Sequence, residues 1–142
     1  MNDNTGRQYF KMRYAGFFMA IYLLCGISAC KNRPVTGSDL KANAIKGEAL
    51  FLSSNCVSCH SITGEVLYGP ALNAILKKQI QVVRSNSLLM ITVDREFIHR
   101  SIRDPDFEKS NDFKNRKMPK PTLTDQEVDW ITDYLISINN QN

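Results

Sequence analysis

The sequence predicts an all-α domain of four or five short helices, with a short β-ribbon set among them. Two observations predict it. Apolar residues recur at helical spacing in residues 44–55, 94–103 and 124–138. The stretches between them are short, polar and punctuated by Gly and Pro.

Residues 44–55 read as the first helix, with Ile45, Ala49 and Leu52 as its stripe and Leu50 and Phe51 alongside. Gly47 lowers helix propensity there, so its place in the pattern points to close packing. Gly64 to Gly69 is a loop ending in Gly69-Pro70, and Ala71 to Lys77 begins a short second helix. Residues 79–93 place Ile80, Val82, Val83, Leu88, Leu89, Ile91 and Val93 around Ser85-Asn86-Ser87, the pattern of a two-stranded ribbon. Asp94 caps a helix running to Arg103, with Phe97, Ile98 and Ile102 on one face, and Asp104-Pro105 stops it. Residues 106–117 are polar and irregular. Thr124-Asp125-Gln126-Glu127 is a capping box opening a final helix that turns Val128, Ile131, Tyr134, Leu135 and Ile138 inward.

Chemistry concentrates at Cys56-Val57-Ser58-Cys59-His60, which occurs once. Two thiols three residues apart, with an imidazole directly after the second, is the spacing that attaches a c-type haem. Each thiol adds to one vinyl group of the porphyrin, and the histidine becomes the proximal iron ligand. A zinc site would need a second ligand pair, but no cysteine follows Cys59 and the other histidine is His99. A thioredoxin-like redox pair wants a βαβ context, and a plain disulfide leaves His60 unexplained. One haem c, bound through Cys56 and Cys59, is the cofactor expected.

The N-terminus reads as an export signal. Arg7, Lys11 and Arg13 precede the apolar stretch from Tyr14 to Ile27, which is short for a membrane span. Ile27-Ser28-Ala29-Cys30 looks like a bacterial lipobox, which implies removal of residues 1–29 and lipid attachment at Cys30. The alternatives are a simple signal peptide or an uncleaved anchor. Residues 30–43 then form a lipidated cysteine and flexible tether, and 44–140 the domain. Covalent haem is attached outside the cytoplasmic membrane, so both features indicate the periplasmic side. Lys31 gives no inner-membrane retention signal and leans the expectation toward the outer membrane.

From Cys30 onward, 15 Lys and Arg face 13 Asp and Glu. Basic and aromatic residues do not interleave, so nucleic acid is not an expected partner. Lys114, Arg116, Lys117 and Lys120 cluster around Met118. They form either a solvated loop or a basic rim that steers acidic redox partners.

For the sixth iron position the residues downstream are Met90, His99 and Met118. Met118 is an apolar sulfur in a polar loop, followed by Pro119, and is preferred. Met90 fits an alternating apolar stretch and reads as core. His99 fits a charged helix and reads as exposed.

With these residues placed, the chain resembles a class I cytochrome c. The resemblance rests on Gly47 with Phe51, Cys56-Val57-Ser58-Cys59-His60, Gly69-Pro70-Ala71-Leu72, Ser101-Ile102-Arg103-Asp104-Pro105, Met118-Pro119 and Leu123-Thr124-Asp125-Gln126-Glu127. The run from Val93 to Pro105 looks like cytochrome domains associated with terminal oxidases, although no copper-binding domain precedes it here. The resemblance implies helices around one covalent haem, the terminal pair crossing near Gly47 with Phe51 and Tyr134 close by. It also implies that the Pro70 carbonyl accepts the Nδ1–H of His60. Leu50, Leu72, Ile75, Ile98, Ile102, Leu123 and Ile131 are the residues expected to line the pocket.

The function expected is single-electron transfer between respiratory partners by a membrane-tethered carrier, without catalysis by the chain itself. The alternatives are a haem subunit fixed in a larger oxidoreductase, such as a terminal oxidase or dehydrogenase, and a haem enzyme or sensor with an open sixth site.

Overall fold

The computed structural model describes residues 37–140. The first element, α1, spans Gly37–Ser53. Strands β1 (Gln79–Arg84) and β2 (Ser87–Thr92) follow, then α2 (Arg95–Arg103), the short β3 (Lys109–Ser110) and the final helix α3 (Asp125–Asn139). The all-α expectation is therefore corrected. Among the described residues there are three α-helices and a three-stranded antiparallel sheet of order β2-β1-β3.

Helix α1 begins at Gly37, so residues 37–43, expected as tether, are helical. Its inward face also differs from the expected stripe. Ile45 and Leu52 are exposed, while Gly47 and Phe51 are buried. The cause is proximity to α3. A Cβ on Gly47 would lie 1.9 Å from the carbonyl oxygen of Trp130, so only glycine lets the two backbones touch. One turn on, the rings of Phe51 and Tyr134 meet with centroids 5.7 Å apart. Asn43 Nδ2 donates to Asp133 of α3 at 3.0 Å, and Arg95 of α2 pairs with the same carboxylate. Phe51, Val93, Ile98, Ile131, Tyr134 and Leu135 form the core these helices enclose.

The capping predictions hold. Asp94 accepts the Phe97 amide at 2.8 Å. Thr124 accepts from the Glu127 amide at 3.3 Å, while the Glu127 carboxylate accepts the Thr124 amide at 2.8 Å. The helix expected from Ala71 to Lys77 is absent. Asn139, at the end of α3, accepts the amides of Ile75 (2.8 Å) and Leu76 (3.1 Å) and donates to the Leu72 carbonyl. These backbone groups are satisfied by a distant side chain, so the segment needs no helix of its own.

The ribbon is present as a β1–β2 hairpin closed by Ser85 and Asn86, both at positive φ (47° and 64°). That pair matches the twist of a two-residue hairpin turn. The sheet gains a strand the sequence does not announce, since Lys109 and Ser110 pair with Val83 and Val82. Val82 is fully buried beneath it. Met90, expected in the core, is 63% exposed, with Leu88 beside it at 57%. Strand β2 lies at the sheet edge, and among the described residues its apolar side chains are covered less than those of β1.

Candidate functional site

The Cys56–His60 segment grows out of the C-terminus of α1. Asn55 adopts a left-handed conformation (φ 58°) and turns the chain into a 3₁₀ turn at Cys56–Ser58. Asn is among the few residues that tolerate this φ. The Cys56 carbonyl then accepts the amides of Cys59 (3.2 Å) and His60 (3.0 Å), which holds both thiols and the imidazole on one short arc. Both cysteines are free thiols, and burial pushes the Cys56 thiol above its ordinary pKa.

His60 is fixed from behind. Its Nδ1 lies 3.0 Å from the Pro70 carbonyl. A carbonyl only accepts, so Nδ1 carries the proton, and in the neutral ring Nε2 is the nitrogen left to bind a metal. The Gly69 amide donates to the Cys59 carbonyl (2.8 Å), and a Cβ on Gly69 would fall 2.4 Å from Cε1 of His60. Glycine at 69 is therefore required for the ring to sit where it does. Ser61 and Thr63 donate their hydroxyls to Glu65, which lowers that carboxyl to about 2.

Cys56, Cys59, His60, Pro70 and Met118 line one cavity of about 430 Å³. Its walls are mostly apolar and include Leu72, Ile75, Ile98, Ile102, Leu123 and Ile131 as expected. Leu50 is not among the lining residues and packs against the core instead. His99 and Met90 lie outside the cavity, and the His99 ring stands 3.8 Å from Asp129. Among the described residues no group of three His, Cys, Asp or Glu side chains is placed to hold a metal ion.

Two polar features of the cavity wall escape sequence reasoning. Glu108 is buried, gripped through Nε and Nη2 of Arg84 and approached by Arg100 at 3.6 Å. The Phe107 ring lies about 5 Å from each guanidinium. Nothing local marks Glu108 as buried, because both partners arrive from elsewhere in the chain. Ser101 Oγ is buried on the same wall without a hydrogen-bond partner.

The basic cluster divides. Lys114, Lys117 and Lys120 are exposed. Arg116 is engaged: Nη1 donates to the carbonyls of Leu67 (2.8 Å) and Tyr68 (2.6 Å), and the guanidinium lies over the rings of Tyr68 and Phe113.

This cavity fits a covalently held tetrapyrrole. It is apolar, as a porphyrin face requires. Two thiols and a histidine with a free Nε2 share one edge. A thioether is supplied by Met118, and the partnerless Ser101 hydroxyl marks a wall shaped for a guest rather than for protein. Comparison with known proteins agrees. The Cytochrome c family model matches residues 44–139. A subunit of nitric oxide reductase from Paracoccus denitrificans is 25% identical over 152 residues, covering 100% of this chain and 93% of that protein. The family match spans most of α1, all of α2 and α3, the Cys56–His60 arc and the Met118 loop together, and on that ground the chain belongs to the cytochrome c family.

Proposed function

We propose that the protein is a membrane-tethered, exported cytochrome with one haem c, passing single electrons between respiratory partners. The observation that carries this is the convergence of Cys56, Cys59, His60 and Met118 on one apolar cavity. Membership of the family makes electron transfer by a c-type haem the basic activity.

Covalently bound haem supplies a reversible one-electron iron couple. The chain's residues decide how that couple behaves. Cys56 and Cys59 hold the group by thioethers. His60 offers Nε2, and its bond to Pro70 orients the ring and raises its basicity. Met118 offers a neutral, soft sulfur, which favours the ferrous state and raises the reduction potential. Leu72, Ile98 and Ile131 exclude water, and a dry site penalises the extra charge of the ferric state. With His60 and Met118 both holding the iron, no position would remain for a substrate. Exposed Lys114, Lys117 and Lys120 near Met118 favour acidic partner surfaces.

The similarity to a nitric oxide reductase subunit supports a second form of the same chemistry, a haem subunit held within a larger oxidoreductase. Affinity capture from native membranes separates the two: a stoichiometric oxidoreductase favours the subunit, and a domain that purifies alone favours the carrier.

Cys30 lies outside the described residues. Among those described, no helix is long and apolar enough to cross a membrane. Lipid on Cys30 is the proposed tether, placing the domain on the periplasmic side, with the outer membrane favoured by Lys31. Cys30→Ala is expected to move the protein to the soluble fraction, and continued membrane association would argue for an uncleaved anchor or a bound complex. The site is tested by Met118→Ala, which is expected to lower the reduction potential and let carbon monoxide bind. An unchanged potential with no carbon monoxide binding would remove Met118 from the iron.

A further inference from the structure

The segment that carries Met118 has little backbone support. Among the described residues, no backbone-to-backbone hydrogen bond joins residues 117–123 to the rest of the fold. Side chains hold it instead. At its far end Arg103 donates to the Leu123 carbonyl at 2.6 Å. At its near end stands Arg116, two residues before Met118.

Arg116 does more than neutralise charge. One guanidinium nitrogen serves two consecutive carbonyls, those of Leu67 and Tyr68. The guanidinium Cζ also lies 5.6 Å from the Tyr68 ring centroid and 5.1 Å from that of Phe113. The Tyr68 hydroxyl in turn accepts the Lys117 amide at 3.3 Å. The residues after Tyr68 are Gly69 and Pro70, which seat the His60 ring. A single arginine therefore joins the segment behind the histidine to the segment bearing the methionine, nearly fifty residues apart in sequence.

We propose that Arg116 is a clasp, a positioning residue that keeps Met118 seated by tying its loop to the loop that orients His60. The inference rests on the reading of Met118 as the sixth ligand. Opening the clasp frees the methionine end of the site while leaving the thiols and His60 in place.

The test is imidazole titration of the full-length ferric holoprotein, followed by its visible spectrum. Imidazole binds only molecules whose methionine has left the iron, so its apparent affinity scales with that fraction. Arg116→Ala is expected to raise the affinity about fivefold, the scale of charge-assisted hydrogen bonds at an exposed site. Arg116→Lys is expected to recover less than half of the wild-type behaviour, because an ammonium cannot serve two carbonyls and stack on two rings. Lys117→Ala removes an equal charge but keeps the clasp, and should leave the affinity at the wild-type value. Met118→Ala is expected to bind imidazole without competition and to lack the weak methionine-to-iron band at the red end of the spectrum. Wild-type affinity in Arg116→Ala, or an equal rise in Lys117→Ala, overturns the clasp while Met118 stays a ligand. Wild-type affinity with a retained band in Met118→Ala overturns both ideas together.

Discussion

The α1–α3 crossing and the two loops that flank the cavity are built on different principles. At the crossing, shape decides the fit. Gly47 lets backbones touch and Phe51 meets Tyr134, while polar contacts such as Asn43 to Asp133 sit at the margin of the buried faces. In the loops, polar side chains seize backbone groups from far along the chain: Asn139 holds 72–76, Arg103 holds Leu123 and Arg116 holds Leu67 and Tyr68. The helices are a stiff frame, and the loops are segments pinned to it at a few points. Substitutions in the frame should cost global stability, whereas substitutions at the pins should release local pieces of the site.

The largest effect is expected where the frame has no slack. Gly47→Val places methyl groups into the Trp130 backbone and should cost about 4 kcal/mol or prevent folding, as read by denaturant unfolding. A pin should cost less. Asn139→Ala strands the amides of Ile75 and Leu76 and should cost about 2 kcal/mol, lowering the melting temperature by roughly 10 °C. If it costs as much as Gly47→Val, the contrast between frame and pin fails. The smallest effect concerns the loop behind His60. Hydrogen bonds from Ser61 and then Thr63 hold Glu65 ionised down to about 2. Its folded pKa lies below its unfolded value, so the stability it adds is present above the ordinary carboxyl range and fades as pH falls toward 2. Glu65 is exposed, so this should appear as local loosening rather than unfolding. A carboxyl titration followed by NMR should show the Glu65 pKa near 2 and move it upward in Ser61→Ala.

The same division explains what is legible in the sequence. Local signals are readable wherever neighbours in the chain decide the outcome. The Asp94 cap, the Thr124–Glu127 box and the hairpin turn at Ser85-Asn86 each depend on residues within a few positions. The Cys56–His60 arc is equally plain, since its function requires the spacing itself. Long-range captures are not readable. Ala71 to Lys77 looks helical because nothing nearby shows that Asn139 will take its amides. Glu108 looks like one more charge in a polar loop until Arg84 and Arg100 close on it. Charge alone groups Arg116 with its neighbouring lysines, and its separate role depends on two carbonyls that no side-chain pattern reports. Periodicity misplaces the stripe on α1 because it counts large apolar residues, and the closest approach there needs the smallest residue.

Strand β2 carries a practical consequence. Ser87-Leu88-Leu89-Met90-Ile91-Thr92 ends the sheet with neither a charge nor a proline in the strand, the two features that most discourage another molecule's strand from annealing to such a border. Met90→Lys, which puts a charge on that border, is expected to reduce self-association at high protein concentration, as read by light scattering.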